Sequence, residues 1–167
     1  LAAAIQLAKA GVHVEIFEAK PELSALGSGI TLQGNALRVF DALGAWDDIR
    51  AAGYPFTGLA LRAPGPGAPV VAELPDTQPG GPNYPSTMGM SRPELASILL
   101  EHALAAGAVV NFGTAVTGIT QDETGVDVEI NGAPRARFDL LIGADGLNST
   151  VRDLIGIETK PEPTGMG

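Results

Sequence analysis

Ten residues near the end of the chain crowd a carboxylate, two glycines, a hydroxyl and a guanidinium together: Gly143-Ala144-Asp145-Gly146-Leu147-Asn148-Ser149-Thr150-Val151-Arg152. The run from Phe138 to Ile142 before them reads as a buried strand. Val151 to Ile155, closed by Gly156, reads as a short helix. A strand that empties into Gly-x-Asp-Gly and then a Ser-capped helix leaves backbone donors and one carboxylate facing a crevice. In open α/β sheets, ligands bind in that crevice. Glycine permits a close backbone approach or a positive φ. Ser149 fits an N-cap, and the helix start behind it favours an anion such as phosphate. The bland alternative is a tight strand-to-helix turn held by an Asx-type bond from Asp145.

Two further residues have the type and setting for chemistry. Glu18 closes the strand pattern Val12 to Phe17, which follows an Ala-rich helix and Gly11. Helix, glycine, strand and acidic end make the second half of a βαβ nucleotide-binding unit. In that unit the carboxylate, about 20 residues after the glycine-rich loop, bonds a ribose hydroxyl. Counting back places such a loop ahead of Leu1, so it is inferred rather than seen. Read alone, Glu18 is equally an ordinary solvated carboxylate. Arg92 sits in Ser91-Arg92-Pro93-Glu94, where Ser91 and Glu94 fit a capping box and Pro93 a first helical turn. A guanidinium at a helix mouth suits a phosphate. The alternative is a surface arginine paired with Glu94 or Asp76.

Taken together, these residues carry a resemblance. The decamer is similar to the Asp-Gly motif of the class A flavoprotein monooxygenases, roughly Gly-Ala-Asp-Gly-x-x-Ser-x-Val-Arg, and matches it at every fixed position. The segment Gly27-Ser28-Gly29-Ile30-Thr31-Leu32, then Asn35-Ala36-Leu37 and Leu43-Gly44, resembles the same family, as do Arg92, Leu95 and Leu99. The resemblance covers nearly the whole chain in order. It implies a Rossmann-like α/β FAD-binding sheet with an inserted β-layer and a β-meander, truncated at both ends. It also implies FAD and NAD(P)H as cofactors, with reduced flavin and O2 oxygenating a small organic, aromatic substrate. By the same resemblance Glu18 holds the adenosine ribose, Lys20 is a further cofactor-binding residue, Gly29 and Ile30 run beside the flavin, and Arg92 contacts the flavin or its phosphates. Val116 offers backbone groups to the adenine, and Asp145 with Gly146 serves the pyrophosphate side and NAD(P)H. No catalytic acid or base is assignable, because the family's later Gly-Asp motif and most of its substrate pocket are not in this chain. A reductase or halogenase of the same fold, and a non-catalytic dinucleotide-binding module, stay open as alternatives.

Composition sets outer bounds. The chain has 167 residues, 45% hydrophobic and 17% charged, enough for a real core. A net charge of -9 argues against nucleic acid, whose phosphates require a basic patch. Absence of cysteine excludes disulfides, thiolate metal sites and Cys nucleophiles. His13 and His102 lie far apart and suggest structural roles, so no metal site is expected. No run reaches the roughly 18 apolar residues of a membrane span. The start has no signal-peptide pattern, which leads us to expect a cytoplasmic protein. Oligomeric state is not legible. Leu1 begins inside a helical pattern and Gly167 follows no closing element, so a fragment of a longer protein is expected.

The positioning elements follow from periodicity and punctuation. Leu1 to Ala10 reads as a helix. A helix N-capped by Asn35 runs to Gly44, and Trp46 to Ala52 is a short one. Phe56 to Ala63 and Pro69 to Leu74 read as strands joined by Pro64-Gly65-Pro66-Gly67, and Thr87 to Met90 as another. A helix follows from Ser91 to Gly107. Ala108 to Phe112, Val116 to Gln121, Val126 to Ile130 and Arg135 to Phe138 are strands, with Asn131-Gly132 as a hairpin turn. Asp122 and Glu123 read as solvated. The last strand, Asp139 to Ile142, leads into the decamer. We therefore expect a first FAD-binding part over 1–55, the start of a substrate-side β-layer over 56–90, a second FAD-binding part over 91–158, and a linker or stub over 159–167.

Overall fold

The computed structural model describes residues 1–167 apart from 25–26, 75–76, 132–133, 161, 163–164 and 166–167. Leu26, Asp76, Gly132 and part of the 159–167 stub thus lie outside the described residues. The chain is a mixed α/β protein. It divides into two compact units, residues 1–16 with 23–110, and residues 17–22 with 111–167.

The first unit opens with helix α1 (Ala2–Lys9), closed at Gly11 and followed by strand β1 (Glu15–Glu18). Then come β2 (Ile30–Gln33), α2 (Gly34–Ala42), α3 (Trp46–Ala52), β3 (Tyr54–Phe56), β4 (Leu59–Arg62), β5 (Val70–Leu74), β6 (Thr87–Met90), α4 (Arg92–Ala105) and β7 (Val109–Phe112). Strand β6 is the centre of an antiparallel sheet, with Ile30 opposite Met90 on one side and Tyr54 opposite Gly89 on the other. The β4–β5 hairpin stands as a separate sheet, its strand residues all exposed.

Alternation on a pleated strand and the 3.6-residue helical period send apolar residues to one side. Leu32, Leu37, Ile49, Met88, Leu95 and Ile98 form one core cluster; Ile5, Leu43, Ala103 and Ala108 form the centre of another. Burying a Leu or Ile side chain of this kind contributes about 1.5–3 kcal/mol.

The second unit holds β8 (Val116–Asp122), β9 (Gly125–Ile130), β10 (Ala136–Phe138) and helix α5 (Thr150–Leu154). The three strands make an antiparallel meander in the order β10-β9-β8. Val126, Val128 and Ile130 are its buried face, covered by Phe17, Ile119, Phe138 and Leu141. Strands β1 and β7 pair, and each passes from the first unit into the second. Their bonds join Val14 to Val109 and Glu18 to Thr114, so the two strands run the same way.

Several sequence expectations are corrected. Asp139 to Ile142 is not a strand, and Leu140 and Ile142 are 70% and 52% exposed. A strand needs a hydrogen-bonding neighbour, and among the described residues no strand pairs with this segment. The helix expected to be capped by Asn35 starts two residues earlier, at Gly34, with Gln33 in the capping position and no side-chain cap. Its first amide, Gly34 N, is instead satisfied by the Ser86 carbonyl at 2.9 Å. Ser91 caps α4 by position, but its side chain makes no cap bond. The strand expected over Phe56 to Ala63 is split between β3 and β4, and the one expected from Val12 begins at Glu15. Asp122 is not merely solvated: strand pairing brings Arg137 of β10 to it at 2.7 Å, while the same guanidinium reaches Asp127 at 3.0 Å.

Candidate functional site

The residues singled out for chemistry fall into two groups, one in each unit, and each group is described by itself. In the first unit, Gly29 and Ile30 lead into β2 while Arg92 opens α4. Pairing of β2 with β6 is what brings them together, because Ile30 lies opposite Met90, two residues before Arg92. Arg92 Nε donates to the Gly29 carbonyl at 2.9 Å. Its stem lies over Gly27: a Cβ built there would stand 3.2 Å from Arg92 Cδ and 3.4 Å from Nη1. Neither Glu94 nor any other described carboxylate pairs with Arg92. Among the described residues its two terminal nitrogens therefore remain available to an outside acceptor. Gly27 itself was part of a glycine-punctuated stretch in the sequence but carried no assigned role. Nothing in local spacing reveals that an arginine 65 positions later lies across it.

In the second unit, Glu18 ends β1 with its carboxylate exposed, and Oε1 accepts from the Lys20 amide at 2.9 Å. This bond folds the chain back at the strand end. The backbone of this turn is held to the next strand crossing, since Gly113 N donates to Lys20 O at 2.8 Å and Thr114 N to Glu18 O at 3.0 Å. Val116 starts β8 two residues later, opposite Ile130 and half-buried against the meander core. Glu18, Lys20 and Val116 are thus gathered around one strand end.

Asp145 and Gly146 sit on the turn into α5. Asp145 Oδ1 accepts from Ser149 Oγ at 2.5 Å and Oδ2 from Val151 N at 3.0 Å. Ser149 Oγ in turn accepts from Arg152 N at 3.0 Å, the N-cap expected from the sequence. The Ser149 hydroxyl, with help from the Val151 amide, holds the Asp145 carboxyl below the ordinary carboxylate range, because each bond favours the charged form. Gly146 has φ +86°, which turns the chain sharply between the carboxylate and its helix. A Cβ at Gly143 would stand 2.7 Å from Val151 Cγ1, so the bare glycine is what lets α5 close on this turn. Arg152 Nη1 donates to the Leu147 carbonyl at 3.1 Å and ties the turn from the other side. Among the described residues its Nε is buried without a hydrogen-bond partner, and Asp153 Oδ1 lies 3.8 Å away.

Each unit has a cavity. One of about 310 Å³ in the second unit is bounded by Ile119, Val126, Gly143, Val151 and Arg152. One of about 410 Å³ in the first lies between the β2-β6-β3 sheet and the β4–β5 hairpin. Its described lining, including Thr31, Gln33, Phe56, Leu59 and Thr87, has hydroxyls, an amide and apolar groups but no charged side chain. Among the described residues no group of three or more His, Asp or Glu side chains could hold a metal. His102 is instead clipped to Asp48 at 2.7 Å. No helix of the described chain is long and apolar enough to cross a membrane.

In the first unit an arginine with spare donors on a bare glycine loop, and in the second a carboxylate at a strand end and a glycine turn at a capped helix, are each of a type suited to an anionic nucleotide. Comparison with known proteins agrees. The family model described as FAD binding domain matches residues 1–166. The 3-amino-4-hydroxybenzoate 2-monooxygenase of Streptomyces cremeus is 31% identical, over 91% of this chain and 38% of that protein. The FAD-dependent urate hydroxylase of Klebsiella oxytoca is 30% identical, over 93% of this chain and 40% of that protein. Among solved structures, 2-methyl-3-hydroxypyridine-5-carboxylic acid oxygenase superposes with a TM-score of 0.76 at 29% identity, covering 93% of this chain and 38% of that one. The chain thus spans about two fifths of the length of these relatives. On the fold, the paired site groups and a match across nearly its whole length, the chain belongs to the FAD binding domain family, within the class A flavin-dependent monooxygenases.

Proposed function

We propose that the chain is the cofactor-holding part of a monooxygenase that uses NAD(P)H and O2 to hydroxylate or epoxidise a small organic, aromatic substrate. The observation that carries this reading is Arg92: a guanidinium bonded through Nε to a glycine loop, with its terminal nitrogens unpaired among the described residues, in an FAD binding domain. The relatives' names point to aromatic and heteroaromatic substrates, and the described lining of the 410 Å³ cavity, apolar with hydroxyls and an amide, suits an apolar ring with hydrogen-bonding substituents.

FAD, when bound, supplies the redox chemistry, taking electrons from NAD(P)H and activating O2. The chain's own residues bind and orient. Glu18 accepts from the adenosine ribose and Lys20 stands beside it. The backbone at Val116 serves the adenine. Gly29 and Ile30 run beside the flavin, and Arg92 meets the flavin or its phosphates. Asp145 and Gly146 shape the pyrophosphate side and the approach of NAD(P)H. In this reading residues 1–55 and 91–158 are the two FAD-binding parts, 56–90 begins a substrate-side β-layer, and 159–167 leads out of the domain. The working compartment is the cytoplasm, and the partner is the small-molecule substrate.

The test is made on the full-length protein. It is expected to purify with a flavin absorbance spectrum, to oxidise NAD(P)H faster when a suitable aromatic compound is added, and to transfer label from 18O2 into product. Absence of bound flavin after reconstitution with FAD sinks the reading. Flavin reduction without label in any product moves it to a reductase or halogenase of the same fold.

A further inference from the structure

Arg92 and the glycine loop form a device that the family assignment does not describe. Gly27 has φ +120°, a backbone region that side-chain-bearing residues seldom adopt. Where its Cβ would be, the Arg92 side chain lies instead, with Cδ at 3.2 Å, Nη1 at 3.4 Å and Nε at 3.6 Å from that point. Two residues on, the Gly29 carbonyl accepts from Nε at 2.9 Å. The guanidinium is therefore held at two places: its flat stem against a bare backbone, and its inner nitrogen on a carbonyl. An arginine on a flexible stem otherwise samples many rotamers, and ordering such a side chain costs binding energy. Lysine could supply charge, but it has no Nε–H for the carbonyl and no planar fork.

We propose that Gly27 is a positioning residue for cofactor binding: its missing side chain, with the Gly29 carbonyl, makes a cradle that pre-orients the Arg92 guanidinium toward the FAD. This rests on the reading of Arg92 as an FAD contact. Gly27 touches nothing of the cofactor and acts through Arg92 alone. Gly27→Ala puts a methyl 3.2 Å from Arg92 Cδ, so the side chain must shift by a few tenths of an ångström and the Nε bond to Gly29 is disturbed, on top of backbone strain at φ +120°. Arg92→Lys keeps the charge but drops the bond to Gly29.

The test is a double-mutant cycle on FAD affinity in the full-length apoprotein, titrated with FAD by flavin fluorescence. It uses Gly27→Ala, Arg92→Lys, Arg92→Ala and Gly27→Ala combined with Arg92→Ala, with thermal midpoints of the apoproteins recorded alongside. Loss of one charge-assisted hydrogen bond corresponds to about 10-fold in affinity. Gly27→Ala and Arg92→Lys are each expected to weaken FAD by about that factor. In the Arg92→Ala background Gly27→Ala keeps its backbone strain but has no guanidinium to shift, so it is expected to cost less affinity than in the Arg92 background. Equal losses from Gly27→Ala with and without Arg92 would show simple backbone strain and overturn the proposal. Wild-type affinity in Arg92→Lys also overturns it. Failure of the underlying reading looks different: the wild-type apoprotein itself then takes up no FAD.

Discussion

Asp145 is the residue whose chemistry the structure redefines most. Both of its oxygens are engaged by its own turn and helix, one by Ser149 Oγ and one by Val151 N. The carboxylate therefore shapes Gly146 and the start of α5 before it meets any ligand. Its depressed pKa has a definite pH consequence. A carboxyl whose folded value lies below its unfolded one contributes stability that is fully present above the ordinary range. That stability is lost as pH falls through the depressed value, below the ordinary carboxylate range. Asp145→Asn is expected to remove this share, so the variant loses less stability than wild type between pH 5 and the acid limit. Urea unfolding followed across that interval checks it, and identical pH slopes for the two proteins would refute it. At pH 7 the same substitution, which also weakens the cap on α5, is expected to cost about 1 kcal/mol.

At the scale of elements, the join between α2 and the loop before β6 depends on close backbone contact. A Cβ at Gly34 would stand 2.5 Å from Gly80 N and 3.2 Å from the Pro85 carbonyl, and Gly34 N donates to Ser86 O. The loop is held again at Tyr84, whose hydroxyl donates to Asp41 of α2 and whose ring meets Trp46 edge-on at 5.6 Å. That hydrogen bond, with burial, raises the Tyr84 pKa above the usual phenol value. Gly34→Ala must push two backbones apart, and overpacking of this kind costs about 1–3 kcal/mol. Chemical denaturation measures it; a loss under a few tenths would mean that the loop yields freely. The sequence read here as a glycine-punctuated loop and a helix capped by Asn35, and did not show strand β2. The actual partner of the first helical amide is a carbonyl 52 residues away, a contact no local pattern carries.

For the whole molecule, charge and fold class were legible from composition and order. A net charge of -9 disfavours binding to phosphate backbones. A labelled duplex oligonucleotide is accordingly expected to show no salt-dependent rise in anisotropy with added protein; a rise that falls with salt would contradict this. Periodicity and glycine punctuation also placed nearly every helix and strand, because each amphipathic segment carries its own burial pattern. Where that reading failed, tertiary pairing was the missing quantity. Asp139 to Ile142 has strand composition but no neighbouring strand among the described residues, so Leu140 and Ile142 stay exposed. Asp122 has loop composition but lies beside Arg137 once β10 pairs with β9. The same division runs through the candidate site. The sequence by itself determined which residues are offered as a proposed dinucleotide site, Glu18, Arg92, Asp145 and Gly146, since their local motifs fix backbone turn and charge together. Only the tertiary structure decided what those groups touch: Arg92 lies across Gly27 and Gly29, and Asp145 turns inward to its own helix. Strand pairing and helix closure bring together atoms whose separation along the chain conceals them.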